Sequence, residues 1–390
     1  MLSTTDKVRQ VPTLADVVAT LDRLYDPDRA EEWDAVGLVC GDPAAEVRRV
    51  LFAVDPIDAI AAEAAEWGAD LLVTHHPLFL RPVHAVAATT PKGRLVHRLM
   101  SAGVALHVAH TNADNADPGV SDALASALGL GELRPIQPQS AESVDKLVVF
   151  VPESDAERLI DALAAAGAGT IGAYERCAWT TTGTGTFRPR PGADPTIGTV
   201  GSVERVPEVR VEMVLPRAQR PAVLGALGAA HPYEEPAYDV YELAMQPGST
   251  GIGRIGVLDE TEPFADFVQR VARALPATSA GVRGAGDPDA PIRTVAVCGG
   301  AGDSLLATVR AAGVDAYVTA DLRHHPSSEA REHELPALVD VSHWASEWPW
   351  LGDAASRLED QLSHAGTTVV TRVSGTPTDP WTMHFASDST

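Results

Sequence analysis

The chain has 390 residues, too many for one ordinary core and suited to two or three domains. Its 45% apolar content predicts packed cores, and its net charge of −23 opposes non-specific attraction to nucleic-acid phosphates and to anionic membrane surfaces. The opening MLSTTDKVRQ has no signal-like apolar stretch and no run of about 18 apolar residues follows, so a cytoplasmic protein with no membrane partner is expected.

TLADVVATLDRLY has the period of an amphipathic helix, after which short apolar runs alternate with helical stretches. RRVLFAV, DLLVTHHP and VALHVAH read as strands, with AIAAEAAEWGA and GRLVHRLMSAG as the helices between them. Strands of nearly continuous Val, Leu and Ile separated by helices predict a parallel sheet covered on both faces, an α/β half over residues 1–135. From 145 to 245 the order becomes β, α, β, β, α, β, in DKLVVFVP, DAERLIDALAAAG, YERCAWTTTGTGTF, EVRVEMVLP, QRPAVLGALGAA and PAYDVYELA, which is the ferredoxin-like α+β arrangement. GELRPIQPQSAES and AMQPGSTGIGRIG flank it, and their Gly, Pro and Ser content predicts linkers. Over 250–390 the α/β alternation resumes, with TVAVCGG, DAYVTA and ALVDVSH as strands. The fold expected is an α/β body interrupted by an inserted α+β domain.

Cys40, Cys177 and Cys298 are too widely spaced for a disulfide framework or a CxxC ribbon, so any metal must be held by His and carboxylates. His75 and His76 follow the apolar run LLVT and precede Pro77, where a strand turned by proline can aim both rings into one crevice. Asp114 lies in HTNADNAD, directly after the third strand, with His110 beside it as a candidate to orient the loop or another ligand. His343 and Glu347 stand four residues apart in SHWASE, on one face of a helix capped by Ser342. Each element alone also reads as capping, turn-forming or simple hydrogen bonding. All three fall at the carboxyl ends of predicted sheet strands, where open α/β sheets place their ligands. Three imidazoles and two carboxylates suit Zn, Fe, Mn, Co or Ni better than Ca or Mg. Five side chains underfill two coordination spheres, which predicts an open site rather than a structural one.

These residues resemble the dinuclear metal-centre family of GTP cyclohydrolase I type 2 homologues. The resemblance runs from EEWDAVGLVCGDP through LLVTHHPLF and AHTNADNADPGVSDALA to VAVCGGAGDSL, AYVTADLRHHPSSEA and SHWASEWPWL. The middle segment, with GTGTFRP, AAHPYEEPAYDVYEL and GIGRIG, is similar to the PII-like and CutA-like insert of the family's longer members. The resemblance implies two divalent ions per chain between two α/β lobes, with His76 and Asp114 on one, His75 and His343 on the other, and Glu347 on both. It also implies a homo-oligomer in the form of a hexameric toroid. At 321–326 DLRHHP departs from the family's DxxYHD pattern: His325 is the matching histidine and His324 replaces an aromatic, which leaves the loop's contribution open.

VCGGAGDSL lacks the Lys of a P-loop and the GxGxxG spacing, so a tight structural turn is expected there. Trp33, Asp34, Gly37 and Gly41 read as structural, Asp34 being a further candidate to contact the metal ligands, and His231, Tyr233 and Glu234 in HPYEEP read as a helix end. The leading functional expectation is a metal-dependent hydrolase in which a hydroxide held between two ions attacks GTP, opening its ring, or a phosphoester. The general acid is not identifiable from the sequence. The competing expectations are a metal-sensing or regulatory toroid and a metallochaperone.

Overall fold

The computed structural model describes residues 10–140, 143–244, 247–333 and 336–385. Its first helix, α1 (Leu14–Leu24), begins where Thr13 and Asp16 form a reciprocal capping box, and it buries Leu14, Val17 and Leu21 on one face. Strands β1 (Gly37–Cys40), β2 (Arg49–Ala53), β3 (Leu71–Thr74) and β4 (Ala105–Val108) follow, with α2 (Asp58–Trp67) between β2 and β3 and α3 (Pro91–Ala102) between β3 and β4. Gly68 and Gly103 end the two helices in the left-handed conformation that frees the chain to turn back into the sheet. β2, β3 and β4 run parallel, β3 and β4 fully buried and β2 buried after Arg49, while β1 pairs antiparallel on the outer edge of β4. Next come the single turn α4 (Thr111–Asp114), then α5 (Val120–Ala127) and β5 (Leu130–Ser140).

The chain divides into two compact units, Ser140–Gly248 as one and Met1–Gln139 with Ser249–Thr390 as the other. The smaller unit contains β6 (Val144–Pro152), α6 (Ala156–Ala165), β7 (Trp179–Phe187), β8 (Glu204–Pro216), α7 (Arg220–Ala230) and β9 (Tyr238–Glu242). Its four strands are antiparallel in the order β7-β8-β6-β9. Leu147, Val149 and Val151 of β6 and Val211, Met213 and Leu215 of β8 point to one face, where Leu159, Leu163, Val223 and Leu227 of the helices cover them. His231 caps the end of α7, its ring bonded to the Phe150 carbonyl and to the Tyr233 amide, which is the structural part expected of it.

The larger unit resumes with β10 (Pro247–Pro263), α8 (Phe264–Ala274), β11 (Arg283–Ala285), β12 (Pro291–Ala301), α9 (Leu306–Ala312), β13 (Ala316–Ala320), α10 (His324–Glu332), β14 (Ala337–Val341), α11 (His343–His364) and β15 (Val370–Val373). Its second sheet has the order β11-β14-β13-β12-β10-β5, parallel at β12, β13 and β14. The first has the order β1-β4-β3-β2-β15. Each sheet therefore takes a strand from the far side of the insertion: β15 pairs parallel with β2, and β5 closes the second sheet. One apolar core joins Phe52 and Val73 of the first sheet to Val297, Val318 and Val339 of the second through Trp350, Leu351 and Leu358 of α11.

The stretches read as linkers are, in their described parts, the strands β5 and β10. Pro135 and Pro138 are tolerated because β5 is an edge strand, where a missing N–H costs no ladder bond. Gly251 and Gly253 are required by close approach, since a Cβ on Gly251 would lie 2.3 Å from the Gln137 carbonyl oxygen and one on Gly253 2.5 Å from Ile136 Cδ1. Within β10, Arg254 is 1% exposed. Its Nε and Nη2 each meet an Asp122 oxygen at 2.8 Å, and the Gly251, Gly253 and Ala116 carbonyls take its remaining N–H groups. Asp122 in turn caps α5 by accepting from the Gly119 amide. Replacing Arg254 by Ala would strand the largely buried Asp122 carboxylate and three carbonyls, at a cost of about 3 kcal/mol. A lowered denaturant midpoint, followed by circular dichroism, is the expected result, and an unchanged midpoint would contradict it.

Candidate metal centre

The carboxyl ends of both sheets of the larger unit supply one cluster of polar side chains. Asp55 follows β2, His75 and His76 follow β3, His110 and Asp114 follow β4, Asp321 follows β13, and His343 and Glu347 occupy the first turn of α11 after β14. Ser342 caps α11, accepting from the Ala345 amide, which sets His343 and Glu347 on one face as their spacing predicts.

Each imidazole is held through Nδ1. His75 donates to the Ala109 carbonyl at 2.9 Å, His76 to Asp55 at 2.7 Å, His110 to Asp34 at 2.9 Å and His343 to Asp321 at 2.7 Å. All four partners are acceptors, so each Nδ1 carries a proton and each Nε2 is left for another task. The Nε2 atoms of His75, His76 and His343 turn onto Glu347. His75 lies 3.5 Å and His343 3.0 Å from Oε1, and His76 lies 3.2 Å from Oε2. Asp114 stands 3.8 Å from His75 Nε2. The ligand atoms of His75, His76 and His110 lie within 4.8 Å of one another, as do those of His76, His343 and Glu347.

This arrangement fits a cation. His75 and Glu347 are buried, and among the described residues His75 Nε2 and Glu347 Oε2 have no hydrogen-bond partner. His76 Nε2 and His343 Nε2 face each other at 3.2 Å, where two lone pairs repel and so do two N–H groups. A shared cation, or one proton in its place, relieves both conflicts. Burial opposes charge on these rings, but the Glu347 carboxylate more than offsets it and pushes His76 up to about 11 and His343 to about 9. The same imidazoles, working against burial, hold Glu347 well below the usual carboxylate range. Burial raises Asp114, and the neighbouring histidines only partly counter it.

The structure thus brings together His75, His76, Asp114, His343 and Glu347, with Asp34 and His110 alongside. Asp34 orients His110 and also accepts from the Thr111 amide, and these bonds hold its carboxyl far below the ordinary range despite its burial. His325 is not brought in. It sits exposed on α10 with its ring 5.2 Å from that of His324, and no described hydrogen bond links it to the cluster. The pairing also differs from the one implied by resemblance: His75 is the ring near Asp114 and His76 the ring near His343. Consecutive residues leaving a strand diverge, and here they diverge toward those partners.

Asp55, Asp321 and Gly300 escaped the sequence reading. Asp55 and Asp321 fix two of the rings, and Asp321 does so from a left-handed backbone with φ of 55°, an uncommon conformation for a non-glycine residue and one concentrated at functional sites. Gly300 of VCGGAGDSL lies within β12, at its register shift between Val297 and Ala301, where the sequence predicts a turn. A Cβ there would lie 2.5 Å from Glu347 Oε1 and 3.1 Å from His343 Nε2, so the glycine serves close approach to the cluster. The C-terminal segment adds two ties: Thr378 donates to the second oxygen of Asp55, and Ser342 donates to Asp379. A cleft of about 330 Å³ opens beside His76 and His343, walled by Trp344, Arg283, Asp379 and Trp381.

Comparisons with known proteins show which family the chain resembles. The family model described as Duf34/NIF3 (NGG1p interacting factor 3) matches residues 12–380. A Mycobacterium tuberculosis relative named GTP cyclohydrolase 1 type 2 homolog is 54% identical over 371 residues, covering 95% of this chain and 97% of its own length. The Streptomyces coelicolor relative of that name is 41% identical over 380 residues and covers 97% of both chains. Among solved structures, a Bacillus cereus protein related to NIF3 is 35% identical with a TM-score of 0.75, covering 96% of this chain and 100% of its own. A Staphylococcus aureus protein is 27% identical with a TM-score of 0.81, covering 96% and 99%. The chain belongs to the Duf34/NIF3 family.

Proposed function

We propose that this protein binds two divalent transition-metal ions, of the Zn, Fe, Mn, Co or Ni class, and acts as a metal-dependent hydrolase on GTP or another phosphoester. The observation that carries the reading is the set of rings with Nδ1 committed and Nε2 turned onto the buried, under-bonded Glu347. His75, His76, Asp114, His343 and Glu347 would hold the ions, with His110 within reach and Asp34, Asp55 and Asp321 fixing the rings. Such ions lower the pKa of water toward neutrality and stabilise developing negative charge. The chain's own part is to keep the rings oriented, to leave the cleft side open, and to exclude water from the Glu347 side. The name carried by the relatives favours GTP and ring opening, and phosphoester cleavage suits the same site. Turnover of GTP or of bis(p-nitrophenyl) phosphate by metal-loaded protein tests the proposal. Retained metal with no turnover on either would favour a sensing or regulatory protein.

The strand order of the inserted unit supports a ferredoxin-like module of the PII or CutA kind, and the two sheets of the larger unit support a two-lobed body. No described helix is long and apolar enough to cross a membrane. The setting we propose is the cytoplasm. The assembly we propose is a closed homohexamer. Light scattering should give about six times the 41.0 kDa chain mass, and a monomer at micromolar concentration would refute it.

Glu347→Gln should leave one ion per chain, or two with much weaker affinity, because its two oxygens reach three imidazoles and its charge offsets repulsion between two cations. Metal analysis by mass spectrometry reads this directly, and two tightly held ions with unchanged turnover would sink the bridging assignment.

Metal affinity should also rise with pH. In the metal-free chain the paired imidazoliums add stability that is complete below the ordinary imidazole pKa of about 6.5 and is lost as pH climbs through about 9 and 11. Metal has to displace those protons, so between pH 6 and 8 affinity should grow by roughly tenfold per pH unit for each proton released. Chelator competition across that range measures the slope, and a flat profile would refute the protonation scheme.

A further inference from the structure

A second groove, of about 440 Å³, lies between β11, β14 and α10 and is lined by Arg283, Arg323, Arg331, His324, Ser327 and Ser328. We propose that it is a subsite for a linear polyphosphate group, the tail of the substrate whose reacting end lies at the metal centre. As a substrate subsite it rests on the hydrolase reading, whereas its affinity for polyphosphate stands on its own.

The placement comes from continuity. Arg283 and Asp340 line both this groove and the cleft beside His76 and His343, so the two depressions meet at that ion pair. One loop serves both, for Asp321 holds the His343 ring and two residues later Arg323 enters the groove. The charge is also against the average, since a chain of net −23 gathers three guanidinium groups around one groove, Arg283 from β11 and Arg323 and Arg331 from the α10 side. Asp340 takes Nε and Nη2 of Arg283, and Asp303 takes Nε and Nη2 of Arg323. Those carboxylates fix the planes of the two heads, whose side chains remain 71% and 76% exposed with the Nη1 edge unengaged among the described residues. Preset guanidinium forks of this kind recognise phosphate oxygens through charge-assisted pairs. α10 starts in the same groove without a side-chain cap; Pro326 has no N–H and the Ser327 amide bonds the Arg323 carbonyl, so the His324 and His325 amides are the ones left to an anion. Three cationic heads around one groove of about 440 Å³ offer charge for several phosphate groups rather than for one.

The test titrates the full chain, freed of metal by chelator so that metal capture of the probe is removed, with inorganic tripolyphosphate and with orthophosphate by calorimetry at low salt. Tripolyphosphate should bind at least about tenfold more tightly than orthophosphate, and the Arg323→Ala, Arg331→Ala double variant should weaken it by at least about tenfold. Both side chains are exposed, so the variant is expected to keep the wild-type circular dichroism spectrum and metal content. Failure of tripolyphosphate to bind wild type, or equal binding by the double variant, overturns the proposal. Failure of the hydrolase reading would instead appear as absent turnover in metal-loaded wild type, with the isotherm intact.

Discussion

A buried carboxylate surrounded by imidazoles organises this protein. Glu347 is 2% exposed, and a lone carboxylate at such depth is costly unless positive charge stands beside it. His75, His76 and His343 provide that neighbourhood, and each needs a second residue to hold its ring in place. The requirement spreads outward to the Ala109 carbonyl, Asp55 and Asp321, and then to Thr378 on Asp55. A site so built is rigid before any ligand arrives, which is what a metal centre with open positions needs.

The fold explains how such distant residues meet. Two sheets turn their carboxyl ends toward one another, and α11 runs from that junction into the shared core through Trp350, Leu351 and Leu358. The exchange of β5 and β15 ties the sheets together, so the two sides of the cluster are not free to separate. Arg254 reinforces the same junction, joining β10 to the cap of α5 just beyond the loop that carries Asp114. Stability and site geometry therefore draw on the same contacts.

Electrostatics divides the surface around the centre into two kinds of environment. Close to the imidazoles the walls are acidic, with Asp55, Asp321 and Asp379, and these residues hold rings and caps in place. Beyond Arg283 the lining turns basic. A molecule lying across both would meet cations at one end through the candidate ligands and guanidinium groups at the other. That polarity gives the cleft a direction that the overall negative charge conceals.

The amino-acid sequence by itself determined the elements whose signals are local. The period of α1 and its Thr13 cap, the apolar runs of β2, β3 and β4, and the Ser342 cap that puts His343 and Glu347 on one turn all depend on neighbours within a few residues. His75, His76 and Asp114 were visible for the same reason, each following an apolar run that ends in a turn. Tertiary structure alone decided the rest. Gly and Pro in GELRPIQPQSAES and AMQPGSTGIGRIG read as breaks, yet an edge position and close packing against Gln137 and Ile136 make strands of 131–140 and 247–256. Asp55, Asp321 and Gly300 have no local signature, since an orienting aspartate or a space-making glycine is defined only by what lies against it in space. His325 shows the converse: it matched a motif, but it sits exposed on α10 with no described hydrogen bond to the cluster. Short-range patterning writes the elements and many of the reactive side chains, whereas pairing order, ring orientation and clearance arise from contacts between residues hundreds of positions apart.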